Sequence, residues 1–182
     1  MNLATHYLEE ALRQMKGHKR LADGALQQAT DEEFFRELDP ESNSIAIVVK
    51  HMAGNMQSRF TDFLTSDGEK PDRNRDQEFE LGTSAARKDL MQAWELGWKT
   101  VIDSIGALKP EDVEKTVTIR SEPHTVLQAI NRSLAHLAYH TGQIVYLAKY
   151  FRSESWKTLS VPRGKTDEFN AKMREKHGGA KV

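Results

Sequence analysis

The chain has 182 residues, of which 26 are basic, 27 acidic and none cysteine, with a formal net charge of -1. That length suits one domain spanning 1–182. The balanced charge gives no electrostatic case for nucleic acid or an anionic membrane as partner. The missing cysteines exclude disulfides, cysteine zinc sites, iron–sulfur clusters and a cysteine nucleophile. The longest apolar run, Ile45 to Val49, is far below the ~20 residues that span a bilayer, and the early acids of MNLATHYLEE do not read as a signal peptide. Together these features lead to the expectation of a cytoplasmic protein with no membrane partner.

Apolar spacing is helical almost throughout. A first helix is predicted over Leu3–Gln28, with Leu3, Tyr7, Ala11, Met15, Ala22 and Leu26 on one side. Thr30 and Glu33 read as a capping box for a short helical turn that Asp39-Pro40 ends. Asn43 or Ser44 caps a second long helix to about Ser66, with Ile45, Val49, Met52, Met56, Phe60 and Phe63 inward. Asp67 to Gly82 is the most loop-like stretch of the chain. Thr83 or Ser84 caps a third helix to about Leu108, whose stripe is Leu90, Trp94, Trp98, Val101, Ile105 and Leu108. Lys115–Arg120, KTVTIR, alternates and is β-branched, so a strand or hairpin is expected. A fourth long helix runs from about Thr125 to Phe151, and a short one from Thr166 to Lys176. Four long helices predict an all-α four-helix bundle. Residues 152–182 form a C-terminal extension expected to lie on that bundle, and the intervening connections allow a topology other than simple up-down-up-down.

Seven histidines are present, at 6, 18, 51, 124, 136, 140 and 177. His136 and His140 stand at i and i+4, which on a helix places both imidazoles on one face. At ~100° per residue they lie roughly 100° from the apolar stripe of their helix, beside the core rather than in it. His51 has a similar offset on the second long helix. Three neutral imidazoles with positions left open make a site of catalytic type, and imidazole suits zinc, nickel, copper or iron. For the pair alone, the competing reading is two partly exposed surface histidines. The glutamate of a zinc-protease H-E-x-x-H is absent, because Leu137 and Ala138 follow His136.

The segments IAIVVKHMAGNMQSRF, NRSLAHLAYHTGQIVYLAK and the tail WKTLSVPRGK…FN resemble the DinB-like superfamily, and the tail resembles a bacterial subgroup of it whose function is uncharacterised. The resemblance covers nearly the whole chain. It implies a metal-binding four-helix bundle related to thiol-dependent S-transferases. The family's ligands, one histidine in the second helix and an H-x-x-x-H pair in the fourth, fall on His51, His136 and His140. The implied cofactor is one divalent metal ion, zinc or nickel. The implied partners are a small electrophile and a low-molecular-weight thiol such as bacillithiol or mycothiol, with water as the other nucleophile. A homodimer is also implied. A non-catalytic metal- or small-ligand-binding stress protein is the alternative.

Asn55, one turn after His51, could orient a ligand, with Asp62 two turns further on. Arg132 and Gln143 flank the pair, and Arg132 could clamp a carboxylate or form a surface ion pair. Arg163 in the tail could reach an anionic substrate, or Trp156 and Phe169 could simply cover core. Tyr139 is expected to point elsewhere and to pack. His6, His18 and His177 have no partner at ligand spacing, and His124 is a candidate for a local cap. Trp94, Trp98, Met52 and Met56 read as core.

Overall fold

A computed structural model describes residues 2–178. It is all-α apart from one hairpin. Six helices are present among those residues: α1 (Leu3–Leu26), α2 (Asp31–Phe35), α3 (Ile45–Phe60), α4 (Arg87–Gly106), α5 (Val126–Arg152) and α6 (Thr166–His177). Strands β1 (Thr116–Ile119) and β2 (Glu122–Thr125) pair antiparallel, with Ile119 opposite Glu122.

Local chemistry accounts for most of the boundaries. The Asn2 side chain accepts from Thr5 N at 2.8 Å and starts α1. Thr30 and Glu33 form the expected capping box on α2. Ser44 caps α3, and Thr125 with Gln128 makes a second capping box on α5. The cap role foreseen for His124 is therefore taken by Thr125, and His124 instead pairs with Val117 in the hairpin.

Two expected boundaries move. The second long helix stops at Phe60 rather than near Ser66. Thr61 is extended and Asp62 has φ 50°, because Phe63 turns back onto Phe60 at a ring separation of 5.1 Å. Asp62 accordingly leaves the face of His51. The third long helix begins at Arg87 rather than at Thr83 or Ser84, and its N-terminal neighbour Ala86 supplies no side-chain cap.

In the bundle α3 lies most closely on α4 and α1 on α5, while α3 also meets α5 and α1 meets α4. Consecutive long helices α1 and α3 thus face across a diagonal, as do α4 and α5, so this is not a simple up-down-up-down order. Trp94, Trp98, Phe34, Phe60, Met52 and Met56 are at most 1% exposed and fill the centre. Each such side chain contributes roughly 1.5–3 kcal/mol by leaving water. Gly97 permits the close approach of α4 to α3, since a Cβ there would lie 2.9 Å from Met56 Cε and 3.2 Å from Ala53 O. Trp94 Nε1 donates to Asp23 at 2.9 Å and ties α4 to α1. In the tail, Trp156 and Leu159 are half-buried against the core, whereas α6 carries no buried residue and Phe169 is 44% exposed. No described helix is long and apolar enough to cross a membrane.

Candidate metal centre

Helices α3 and α5 pack against each other. His51 projects from α3, and His136 and His140 from successive turns of α5. Their nitrogens converge. His136 Nε2 lies 3.2 Å from His51 Nε2 and 3.1 Å from His140 Nε2, and the donor atoms of all three fall within 4.8 Å of one another. His51 and His140 are buried and His136 is half-buried, so the pair is not the two surface histidines of the competing reading.

Two of the rings are held from behind. His51 Nδ1–H donates to Glu78 Oε2 at 2.8 Å, and His140 Nδ1–H donates to Gln143 Oε1 at 2.7 Å. A carboxylate only accepts, so the proton of His51 sits on Nδ1 and its Nε2 lone pair faces the cluster. The same holds for His140 against the amide oxygen of Gln143, whose Nε2 in turn donates to Tyr139 Oη at 3.2 Å. A single proton on His136 Nε2 can serve only one of two facing lone pairs well, whereas a cation serves all three. Its Nδ1 is buried without a protein partner. The spacing also fits: an ion with ~2.0–2.1 Å bonds in tetrahedral geometry separates its ligands by ~3.3 Å. Burial lowers His136 to about 3, helped by the charges of the neighbouring histidines, Arg59 and Arg73. Burial likewise lowers His140 against the opposing hydrogen bond of Gln143. Both rings are therefore neutral, as ligation requires.

Glu78 comes from the segment expected to be plain loop. A single 3-10 turn, Asp76–Phe79, presses it onto α3, where it is 7% exposed. Gly54 makes room for it: a Cβ at that position would lie 2.9 Å from Glu78 Cδ. Arg73 grips the same carboxylate through Nε at 2.8 Å and Nη2 at 2.9 Å. Burial opposes ionisation of Glu78, but the hydrogen bonds from His51 and Arg73 outweigh it and hold the pKa below the usual carboxylate range. Behind this pair, Glu69 accepts from Arg59 at 2.8 Å, Arg73 at 3.1 Å and Arg120 at 3.2 Å. Phe79 lies on the His51 ring at 4.6 Å.

The cluster opens into a cavity of about 460 Å³. Asn55, Arg132 and Gln143 line it, as does Ser133. Tyr139 lines it too and is 63% exposed, which corrects its reading as packing. One helical step turns it away from His140, but its ring reaches back to 4.8 Å and its hydroxyl meets Gln143 one turn on. Arg163 is elsewhere, in a separate hollow with Tyr146, Lys149 and Tyr150. Sequence reasoning did not find Glu78, Arg73, Arg75 or Arg120 as site residues, since nothing in a loop marks which side chain will turn inward. Arg59 was findable, because His51, Asn55 and Arg59 repeat every fourth residue on one helical face.

No curated protein and no solved structure matches the chain. A family model described as a protein of unknown function, DUF1572, matches residues 2–165, and the chain belongs to that family.

Proposed function

We propose that the chain is a metal-dependent enzyme of the DinB-like type, in which His51, His136 and His140 hold one divalent ion, zinc or nickel, beside a substrate cavity. The observation that carries this reading is the convergence of the three Nε2 atoms while the Nδ1 protons of two rings are occupied behind them. A divalent ion held by three imidazoles acts as a Lewis acid that makes water or a thiol acidic enough to ionise near neutral pH.

The chain's own residues do the rest. Glu78 and Gln143 fix the tautomer and the direction of His51 and His140. Arg73 keeps Glu78 ionised. Asn55, Ser133 and Tyr139 offer hydrogen bonds at the wall. Among the described residues lining the cavity there is no carboxylate. With either nucleophile, water or a low-molecular-weight thiol, the ion itself would then supply the acidification. The reaction proposed is attack of that thiol or water on a small electrophile held in the cavity.

Metal analysis of the purified protein beside a His136→Ala variant tests the site. About one equivalent of metal in the parent and a large loss in the variant is the expected result. Equal, near-zero metal in both overturns it. Loss of a supplied electrophile with bacillithiol, abolished by chelator, tests the reaction. Metal binding with no turnover across thiols and esters would leave a binding protein instead.

A further inference from the structure

The chain is close to neutral as a whole, yet the wall of this one cavity is strongly cationic. Arg59, Arg73, Arg75, Arg120 and Arg132 all line it, with no acid beside them on the wall. Two interior carboxylates, Glu69 and Glu78, are engaged by Arg59 and Arg73, which are buried or nearly so. The other three guanidiniums are about half exposed, at 49% for Arg75, 52% for Arg120 and 50% for Arg132. Their acidic neighbours do not occupy them. Arg75 is 3.9 Å from Asp76 and Arg132 is 3.9 Å from Glu122, both beyond hydrogen-bond reach, and Arg120 uses only its Nε on Glu69. Arg75 instead lies over the Phe79 ring at 4.9 Å, and that ring lies on His51.

The position of Arg120 is costly to maintain. Arg120 and Ser121 form the two-residue turn of the hairpin with φ 56° and 64°, a conformation that favours glycine or asparagine. Asp67 enforces it by accepting both backbone N–H groups at 2.8 Å. A fold that needed only a hairpin there would be better served by Asn-Gly; strain of this kind gathers where a side chain has to be delivered.

We propose that the cavity beside the three histidines takes a small molecule bearing an oxyanion, carboxylate or phosphate, and that Arg75, Arg120 and Arg132 receive that group. This rests on the cavity being the substrate site of the preceding reading, and it names the substrate class. The guanidinium fork offers paired donors to either anion, and three forks around one opening exceed what a monovalent counter-ion would use. A cavity of about 460 Å³ has the capacity for a molecule of metabolite size.

Titration calorimetry with succinate and with inorganic phosphate, at constant ionic strength, tests the inference on metal-free and zinc-loaded protein. Choline serves as the cationic control. One or both anions should bind the metal-free protein while choline does not, and the tighter of the two identifies the class. Arg75→Gln and Arg132→Gln should each weaken binding about tenfold, the loss of one charge-assisted contact, with zinc content unchanged. Arg120→Gly should move two readouts in opposite directions: anion binding weakens while the melting temperature holds or rises, because glycine relieves the turn. No anion binding to the parent at about 10 mM, or Gln variants that bind like the parent, overturns the inference. Zinc content measured on the same samples reports the metal reading separately: anion binding to protein that takes no zinc would support the arginine assignment while removing the metal one.

Discussion

The two halves of the site are built in different ways. His136, His140 and Gln143 stand on one continuous helix, α5, where a single periodicity fixes their relative positions within the turns that separate them. The other half is His51 with a brace of Arg73, Glu78 and Phe79 carried in by an irregular segment between α3 and α4. The helical half places its ligands by backbone periodicity, with Gln143 of the same helix orienting His140. The loop half needs a buried ion pair, a glycine beneath it and a second carboxylate, Glu69, behind it. The helix supplies ligands; the loop supplies charge, and with it the basicity and orientation of the ligand it touches.

That contrast can be broken experimentally, and the effects should rank. Removing a ligand is the most severe: His136→Ala should lower zinc affinity by more than the ~100-fold that outer partners reach, as measured by competition with a chelator. Glu78→Gln comes next. It keeps an acceptor for His51 but removes the charge, and zinc affinity should fall ~10–100-fold. It also leaves Arg73 with Glu69 as its remaining carboxylate, so chemical denaturation should register a loss below the ~3–5 kcal/mol of a wholly unpaired buried charge. Gly54→Ala removes no polar group and only pushes Glu78 off α3; an affinity loss of ~10-fold is expected, at the low end of the range for outer partners. Gln143→Ala, on the helical half, should cost only a few-fold, because a half-exposed neutral amide is readily replaced by water. If Gln143→Ala proved as damaging as Glu78→Gln, the distinction between the halves would be lost.

The smallest effect concerns pH. Asp67 accepts backbone N–H groups from Glu69, Ser121 and Arg120, which hold its carboxyl well below the usual range. A folded-state pKa below the unfolded value gives stability that is present above the ordinary carboxylate pKa of ~3.9 and is lost as pH falls toward the lowered folded value. Thermal unfolding of Asp67→Asn should therefore be less pH-dependent below about pH 4 than that of the parent, with the hairpin turn loosened at every pH.

Much of this was legible because helices advertise themselves. The stripe through Trp94, Trp98, Val101 and Ile105 marks a core-facing helix, and all four residues are buried. The capping pair Thr30–Glu33 marks a start by local chemistry, whereas the Thr125–Gln128 box emerges only in the structure. Spacing put His136 and His140 together, and a matching offset on another helix added His51. The brace was not legible. DGEKPDRNRD reads as solvated loop because its composition is polar, yet Arg73 becomes mostly buried by pairing with Glu78 and Glu69, a long-range outcome that no period reports. The end of α3 was missed for a related reason: Phe63 continues the helical apolar spacing, but reaches the core by folding back after a left-handed Asp62. Tyr139 was misjudged by treating its angular position as decisive for a side chain long enough to reach around the helix.

The central claim is that three imidazoles bind a single ion through Nε2. X-ray absorption at the zinc edge of the loaded protein measures this directly. The expected spectrum shows nitrogen donors at ~2.0–2.1 Å, with the outer scattering of three imidazole rings in the parent and of two in His51→Ala. A parent spectrum with oxygen donors only, or one that His51→Ala leaves unchanged, would contradict the account.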